Sequence, residues 1–317
     1  MLRMPLSSII GQEHITKAVT FLIIHPDINY VLLLGDKGTA KTTSAKALLD
    51  YLGTIDMVTG CRFQCDPYDV MNLCSECEAR MEEQELSTNT IERPFVIANP
   101  SVSMKGLVGT VMKGKDGVLF NNGLLARANR GILFMDEISH YSEDILDKTY
   151  SVAEEGTNLV KEGNLEFEHP AKFKIIATHD TESGYLPNEV VWRFDVVVKT
   201  RRIDDIEERM EIARRSMEFK NHPQAFIERY EAQEEKAMEA IFNARKHYKK
   251  VIVPKKIKDE AMKLCEKLDT KEYPSKEELA NKLINIGVVN ASYEGRNWYT
   301  KKDLAFAVKL APAKFPK

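Results

Sequence analysis

Four short apolar runs alternate with longer segments in which apolar residues recur at helical spacing. The runs at residues 28–35 and 131–138 have the length of buried strands, and those at residues 173–179 and 194–199 are rich in residues that favour strands. The connections between them are long enough to hold helices. The pattern therefore predicts the α/β class, with a mostly parallel sheet covered by helices.

The pattern changes near residue 204. Long charged helical segments follow at residues 205–219 and 224–248, and the one strand-like run after them is the brief 251–253. We therefore predict an α/β domain over residues 1–203 and a helical domain over residues 204–317.

Two segments of the first domain do not fit its alternation of strands and helices. Residues 54–93 are polar, contain cysteines and include the acidic cluster 82–85, which is typical of an insertion and not of a core element. Residues 113–122 contain glycines at 114 and 117 and predict a hairpin or a mobile loop.

Composition narrows the class of protein. A chain of 317 residues can hold two domains, and with 29% charged residues and a net charge of −3 it gives no electrostatic reason to expect nucleic acid or an anionic membrane as a partner. The chain has no apolar run of membrane-spanning length and no apolar signal segment at its start. We expect a cytoplasmic protein.

The first apolar run leads into a glycine-containing turn and then into a helix. This order is typical of a phosphate cradle, because backbone N–H groups of the turn and of the helix start point at the anion. Lys41 would reach the β and γ phosphates, and Thr42 would hold Mg²⁺. The predicted nucleotide-binding residues here are Gly35, Asp36, Lys37, Gly38, Thr39, Ala40, Lys41, Thr42 and Thr43. An ordinary strand-turn-helix with a surface lysine is the alternative.

Ala40 occupies the place of the second glycine in the usual G-x-x-x-x-G-K-[ST] pattern. We expect a negative φ at this position, as at the first residues of a helix, and a methyl group is tolerated in that conformation. Gly38 then supplies the flexible position of the turn.

The second apolar run ends in two carboxylates, Asp136 and Glu137. Charge at the end of a buried strand is costly unless it has a partner or a function. Together with a phosphate loop, the pair indicates a hydrolysis site, in which Asp136 orients Mg²⁺ directly or through water and Glu137 polarises the attacking water. A helix cap or a surface ion pair is the alternative.

The run Gly123-Leu-Leu-Ala-Arg-Ala-Asn-Arg-Gly-Ile-Leu-Phe-Met-Asp-Glu-Ile138 resembles the ATPase subunit I of magnesium chelatase. The similarity extends to residues 9–13, 108–110, 169–173, 192–194 and 201–215. The resemblance implies an AAA+ protein of the chelatase and MoxR branch, with a P-loop αβα core and a C-terminal helical lid. It also implies ATP with Mg²⁺ at the subunit boundaries of a homo-oligomeric ring, usually a hexamer. In the MoxR branch an alanine before the P-loop lysine is common.

The resemblance also implies roles for residues outside the two motifs. Ile10 and Gly11 match the element that lies against adenine, although an apolar staple before a helix gives the same pattern. Arg193 matches the arginine finger that acts in the neighbouring subunit, and an intradomain salt bridge is the alternative. Arg127 and Arg130 border the subunit interface or are helix-surface charges.

Two positions depart from the family pattern. Asp180 stands where a sensor asparagine is usual and is predicted to lie at the catalytic site; since an ionised carboxylate donates no hydrogen bond, His179 or Thr178 supplies the donor or hydrolysis is slowed. By an ungapped alignment, Glu278 stands where a lid arginine is usual. Lys276 or Lys282 would then substitute for it.

A family of this kind implies partners and a function. ATP-driven rearrangement of the ring would power insertion of a metal ion into a tetrapyrrole by a separate, large catalytic subunit, with an integrin-like D subunit as a further partner. The identity of the metal is left open. The alternatives are a MoxR-type chaperone that remodels or activates another protein, and a nucleotide-gated binding module with slow turnover.

Four of the five cysteines form a cluster with the spacing C-x3-C-x8-C-x2-C. Thiolates at Cys61, Cys65, Cys74 and Cys77 suit a tetrahedral Zn²⁺ or an iron–sulfur cluster, and free or redox-responsive thiols are the alternative. Cys265 lies in an apolar helical pattern and is predicted to be a core residue.

Overall fold

A computed structural model of the chain describes residues 2–83, 86–114, 118–200, 202–268 and 273–315. Parts of three sequence features lie outside these residues: positions 84–85 of the acidic cluster, positions 115–117 of the predicted loop, and Arg201 at the start of the last segment of family similarity. All predicted site residues are described.

The described residues contain eleven strands. Their bounds are Tyr30–Gly35 (β1), Thr54–Val58 (β2), Thr88–Glu92 (β3), Phe95–Ala98 (β4), Gly109–Lys113 (β5), Val118–Asn122 (β6), Ile132–Met135 (β7), Thr157–Glu162 (β8), Leu165–Pro170 (β9), Lys174–Asp180 (β10) and Val196–Lys199 (β11).

The described α-helices number thirteen. Their bounds are Glu13–Ile24 (α1), Lys41–Ala47 (α2), Leu49–Leu52 (α3), Ser75–Glu82 (α4), Met104–Val108 (α5), Leu124–Ala128 (α6), Glu143–Glu155 (α7), Asn188–Trp192 (α8), Ile206–Asn221 (α9), Pro223–His247 (α10), Lys255–Glu266 (α11), Lys276–Tyr293 (α12) and Lys301–Leu310 (α13).

Five strands form the main sheet, in the order β11-β1-β10-β7-β4. β1 pairs in parallel with β11, with Val31 opposite Val196, and β4 pairs in parallel with β7, with Val96 opposite Leu133. The four predicted apolar runs are confirmed as β1, β7, β10 and β11. The core of the sheet is apolar because these strands carry buried Val, Ile and Leu on consecutive positions, as strands covered on both faces do.

The remaining strands form three antiparallel ribbons, β2 with β3, β5 with β6, and β8 with β9. The predicted hairpin at residues 113–122 is therefore present as part of the β5 and β6 ribbon, apart from the positions that the structure does not describe. The segment predicted as an insertion begins and ends in strands, since Thr54 lies opposite Glu92.

The chain divides into two compact units, residues 1–51 with 177–317 and residues 52–176. The first unit contains β1, β11 and all of α8–α13, and in it α1 packs against α10 and α12. The predicted domain boundary at residues 203 and 204 stays a prediction. Among the described residues, no helix is long and apolar enough to cross a membrane.

Local sequence explains where the helices of the first unit begin and end. α10 starts with Pro223 at its first position, where the missing N–H costs nothing, and ends in Arg245, Lys246 and His247, which favour the negative end of the helix dipole. α13 starts with a capping box in which the side chains of Thr300 and Asp303 satisfy backbone N–H groups reciprocally.

Candidate functional site

The phosphate loop begins where β1 ends at Gly35 and stops where Lys41 begins α2. The side chain of Lys41 folds back over the turn. Its Nζ donates hydrogen bonds to the carbonyl oxygen of Gly35 and, at 2.7 Å, to that of Asp36. The loop is thus closed by the same ammonium group that the motif assigns to phosphate.

Ala40 contradicts one expectation from the sequence. It lies directly before α2 with φ of 60° and ψ of 16°, in the left-handed region, and the predicted negative φ is wrong. A residue with a Cβ pays roughly 1–2 kcal/mol for this conformation. Gly38 has φ of 82° and is the flexible turn position that the sequence predicts.

Glycine at position 40 should relieve this strain. We expect Ala40→Gly to raise the free energy of unfolding by about 0.5–1 kcal/mol, because the relief exceeds the extra backbone entropy of glycine in the unfolded chain. Gly38→Ala is the matched control, since φ at Gly38 is also positive and an added Cβ meets nothing within 4 Å; it should lower stability. Urea denaturation measures both changes, and a less stable Ala40→Gly variant would contradict the strain.

Three threonines connect the loop to the ends of neighbouring strands. Oγ1 of Thr39 donates to the carbonyl oxygen of Asp36 at 2.8 Å, and Oγ1 of Thr200 donates to Oγ1 of Thr39 at 2.9 Å. Oγ1 of Thr181 donates to the carboxylate of Asp36. Sequence reasoning missed Thr181 and Thr200; the available signal was that Thr200 directly follows a predicted strand and that Thr181 lies two residues after another.

Gly35 must be glycine for a reason that the motif alone does not give. Its φ is 152°, and an added Cβ would lie 1.6 Å from Oγ1 of Thr200. The backbone N–H of Thr200 donates to the carbonyl oxygen of Leu34 at 2.7 Å, so this threonine is held at the edge of the loop.

The predicted sensor position lies at the end of β10. Asp180 is buried, and its Oδ1 accepts a hydrogen bond from the backbone N–H of Glu182 at 3.0 Å, which caps the turn that follows. The neighbouring Thr181 carries the hydroxyl that reaches the phosphate loop. The alternative donors Thr178 and His179 are both buried. The catalytic role of Asp180 stays a prediction.

Ile10 and Gly11 lie just before α1, in the same unit as the phosphate loop. Gly11 has φ of 68°, so the chain makes a sharp turn there that favours glycine. Ile10 is half-buried. The contact of these two residues with adenine stays a prediction.

Asp136 and Glu137 follow β7, whose four residues are all buried. Glu137 has φ of 51°, a left-handed conformation that is uncommon outside glycine and often found at functional sites. Its Oε2 lies 3.1 Å from Nδ1 of His140. Burial, and after it the negative charge of Asp136, raise the pKa of Tyr141, whose hydroxyl donates to the carbonyl oxygen of Ala98 at 2.7 Å.

Arg193 directly follows α8, and its side chain is exposed. Nζ of Lys282, on α12, donates to the carbonyl oxygens of the two neighbours of Arg193 in the chain, Trp192 at 2.8 Å and Phe194 at 3.1 Å. The backbone of the predicted finger is therefore held by α12. The direction in which Arg193 acts stays a prediction.

Glu278, at the predicted lid position, is engaged within its own unit. Its Oε1 accepts from the hydroxyl of Tyr273 at 2.9 Å and lies 2.9 Å from Nζ of Lys282. Burial, followed by the charge of Glu278, raises the pKa of Tyr273. Of the two lysines named as substitutes, Lys282 contacts main-chain carbonyls next to Arg193, and Lys276 donates to the carbonyl oxygen of Leu268.

Arg127 and Arg130 differ in their surroundings. Arg127 is exposed on α6. Arg130 lies after that helix with φ of 60°, and its guanidinium forms an ion pair of 2.6 Å with Asp66. Arg130 therefore has a partner in the cysteine-containing segment of its own chain.

The structure brings the four clustered cysteines together. Their sulfur atoms all lie within 4.8 Å of one another, and Cys61, Cys65, Cys74 and Cys77 are 6%, 1%, 2% and 0% exposed. All five cysteines of the chain lie in the described ranges, and none of them forms a disulfide. Hydrogen bonds from Cys65 and Cys74 lower the pKa of Cys61, and burial raises the pKa of Cys77. Cys265 is a buried residue of α11, as predicted.

Comparison with known protein sequences gives consistent matches. The family described as "Magnesium chelatase, subunit ChlI" matches residues 5–190. A magnesium-chelatase subunit ChlI homolog of Methanocaldococcus jannaschii is 32% identical, over 97% of this chain and 84% of its own length. The magnesium-chelatase 38 kDa subunit of Acidiphilium rubrum is 34% identical, over 84% of this chain and 78% of its own length.

Solved structures give matches over nearly the whole chain. A chain in a complex between subunits BchI and BchD of magnesium chelatase, based on a single-particle cryo-EM reconstruction, is 27% identical with a TM-score of 0.55; the match covers 96% of this chain and 94% of that one. A crystal structure of a protein from Cytophaga hutchinsonii has a TM-score of 0.61, covering 98% of this chain and 84% of that one, at 14% identity, and supports the fold alone.

Proposed function

Because the chain belongs to the magnesium chelatase subunit ChlI family, we propose that it hydrolyses ATP and that this cycle powers metal-ion insertion into a tetrapyrrole by a separate chelatase subunit. Its fold is the AAA+ α/β fold with a mostly parallel sheet and C-terminal helices. The observation that carries the proposal is the family match over residues 5–190, which includes both nucleotide motifs.

The residues of the phosphate loop have the chemistry that ATP requires. Lys41 would exchange the carbonyl oxygens of Gly35 and Asp36 for phosphate oxygens, which form stronger, charge-assisted hydrogen bonds. Mg²⁺ that accompanies ATP supplies neutralisation of the phosphate charge. Thr42 would hold this ion, and Asp136 would hold it directly or through water.

Hydrolysis further requires a group that positions and polarises water. We assign this role to Glu137, because it is the carboxylate next to Asp136 and its left-handed backbone directs it away from the regular path of β7. His140, at 3.1 Å from Glu137, would orient that carboxylate.

We propose that the active form is a ring, a hexamer as is usual for the family, in which Arg193 completes the ATP site of the neighbouring copy. A planar guanidinium suits the charge that spreads over a transferring phosphoryl group. The similar chain in the complex of BchI and BchD supports a D-type subunit as a partner. The insertion chemistry would belong to a further, large subunit.

Two alternatives predict different results. A MoxR-type chaperone would turn over ATP without stimulation by chelatase partners, and a nucleotide-gated binding module would bind ATP with negligible turnover. Phosphate release from the purified full chain, alone and with D-type and large chelatase subunits, separates the three. Phosphate release in the presence of these subunits, together with their metal insertion into a porphyrin only when this chain and ATP are supplied, would support the proposal.

Lys41→Ala tests the nucleotide site itself. We expect the affinity for ATP to fall about 10- to 100-fold, because hydrogen bonds to charged groups contribute roughly 1.5–3 kcal/mol. Binding of a fluorescent ATP analogue at fixed salt measures the change.

Lys46→Ala is the matched control for this variant. Lys46 lies on the same short helix α2, and its side chain is exposed. The Lys46→Ala variant should bind the ATP analogue with wild-type affinity. Equal losses in both variants would indicate damage to α2 and would contradict a direct contact of Lys41 with phosphate.

A further inference from the structure

The four-cysteine cluster has the dimensions of a site for one metal ion. Four thiolates around a single Zn²⁺, with Zn–S bonds of about 2.3 Å, place their sulfur atoms about 3.8 Å apart. Sγ of Cys61 and Sγ of Cys74 are 3.9 Å apart, and all four sulfur atoms fall within 4.8 Å. We propose that Cys61, Cys65, Cys74 and Cys77 bind one structural Zn²⁺ ion.

The backbone around the cysteines supports thiolate ligands. The N–H of Phe63 donates to Sγ of Cys61 at 3.3 Å, and the N–H of Cys74 donates to Sγ of Cys65 at 3.2 Å. Such hydrogen bonds stabilise negative charge on sulfur and orient the ligand. Cys74 directly precedes α4, and the N–H of Cys77 donates to the carbonyl oxygen of Cys74 at 2.9 Å, so the C-x2-C half is folded as one turn.

The distances between the sulfur atoms distinguish a single bound ion from a disulfide and from an iron–sulfur cluster. A disulfide needs an S–S distance of about 2.05 Å, far below the 3.9 Å between Cys61 and Cys74. A cluster of two or four irons with bridging sulfides fills the space between its cysteine ligands and holds their sulfur atoms farther apart than one ion does. The compact arrangement therefore favours a single tetrahedral ion.

The metal would fix a segment that has few apolar residues of its own. Most of the loop between Cys61 and Cys77 is polar or exposed, and its one fully buried aromatic side chain, Phe63, stacks on His169 with ring centroids 4.8 Å apart. Segments with too small a core are commonly held by a metal or by disulfides. Burial also lowers the pKa of His169, which favours the neutral form of this stacking partner.

The same loop holds the residues that lead into β7. Nδ2 of Asn129 donates to the carbonyl oxygen of Phe63 at 2.6 Å, and Arg130 donates to the carbonyl oxygen of Gln64 at 3.2 Å besides its ion pair with Asp66. β7 starts two residues later and ends just before Asp136. The Zn²⁺ site would therefore stabilise the base of the strand that carries the predicted catalytic carboxylates.

The metal content of the full chain tests the proposal. We expect roughly one zinc ion per chain after untagged purification from medium that contains both zinc and iron, measured by mass spectrometry of the metals. Stepwise reaction of the wild-type thiols with a mercurial should release this zinc in proportion to the loss of four thiols. That measurement requires no variant to fold. Replacement by Co²⁺ should give the charge-transfer and visible bands of tetrahedral thiolate cobalt.

Two cysteine variants complete the test. Cys65→Ser should lower the zinc content at least about tenfold, because a structural site needs all four ligands. Cys265→Ser is the matched control, since it removes an equally buried cysteine of α11 and should leave the zinc content unchanged. A wild-type chain that binds neither Zn²⁺ nor Co²⁺, or that carries a disulfide or stoichiometric iron at these cysteines, would overturn the proposal. ATP binding by that chain would leave the proposed function intact.

Discussion

Glu137→Gln reduces the rate of ATP hydrolysis at least about 100-fold and leaves ATP binding unchanged, if Glu137 polarises the attacking water as proposed. Glutamine has nearly the same shape but is not a base, so the substitution removes the interaction that is made in the transition state. Single-turnover phosphate release measures the chemical step, and binding of a fluorescent ATP analogue measures affinity. The two measurements together separate a catalytic role from a binding role.

Glu143→Gln is the matched control for this experiment. Glu143 is an exposed carboxylate in the first turn of α7, a few residues after Glu137. It should retain wild-type turnover. If Glu137→Gln hydrolyses ATP at a rate close to that of the control, water activation by Glu137 is excluded. If the Glu137→Gln variant also loses ATP binding, the main role of Glu137 is to maintain the structure of the nucleotide site and not to activate water.

Arg193→Ala should lower turnover about 1,000-fold, in the range found for arginine fingers. The side chain of Arg193 is exposed, and the residue directly follows α8. Steady-state phosphate release at a protein concentration that saturates ring formation measures the loss. Arg245→Ala, which removes an exposed arginine from the last turn of α10, should leave turnover unchanged.

Mixing two inactive variants tests whether Arg193 acts in the neighbouring copy. Chains with Arg193→Ala retain Glu137, and chains with Glu137→Gln retain Arg193. In randomly mixed rings at equal concentration, about one quarter of the subunit boundaries combine an intact Glu137 with an intact Arg193 from the next copy. We therefore expect turnover far above that of either variant alone, and up to about one quarter of the wild-type value. If Arg193 acts within its own chain, no mixed boundary is complete and turnover stays at the level of the separate variants.

The parts of the fold that the sequence predicts are those with a continuous apolar pattern. β1, β7, β10 and β11 are recognisable because strands buried on both faces are apolar at consecutive positions. β4 was missed because its apolar run is shorter than the four predicted runs and directly follows the polar segment at residues 54–93. The β8 and β9 ribbon was missed because strands with one exposed face alternate with polar residues and are hard to distinguish from loops.

The part of the candidate site that is one contiguous motif was predictable from the sequence. The residues that the fold brings to this motif from the ends of other strands were not. The loop from Gly35 to Thr43 can be read directly from spacing. The hydroxyls of Thr181 and Thr200 reach it only because of the way the chain folds between distant positions, which spacing does not reveal. The positive φ of Ala40 was missed because alanine rarely adopts it, although the motif's usual glycine at that position was a signal.

The hydrogen bonds of Lys282 link α12 to the backbone around Arg193, and this link would couple neighbouring copies of the chain. Nζ of Lys282 holds the carbonyl oxygens of Trp192 and Phe194, so a displacement of α12 would move the backbone that carries Arg193. In the ring proposed here, a movement of α12 in one subunit would change the position of the Arg193 guanidinium at the ATP site of the next subunit. Such coupling favours ATP hydrolysis at successive sites around the ring over hydrolysis at each site independently.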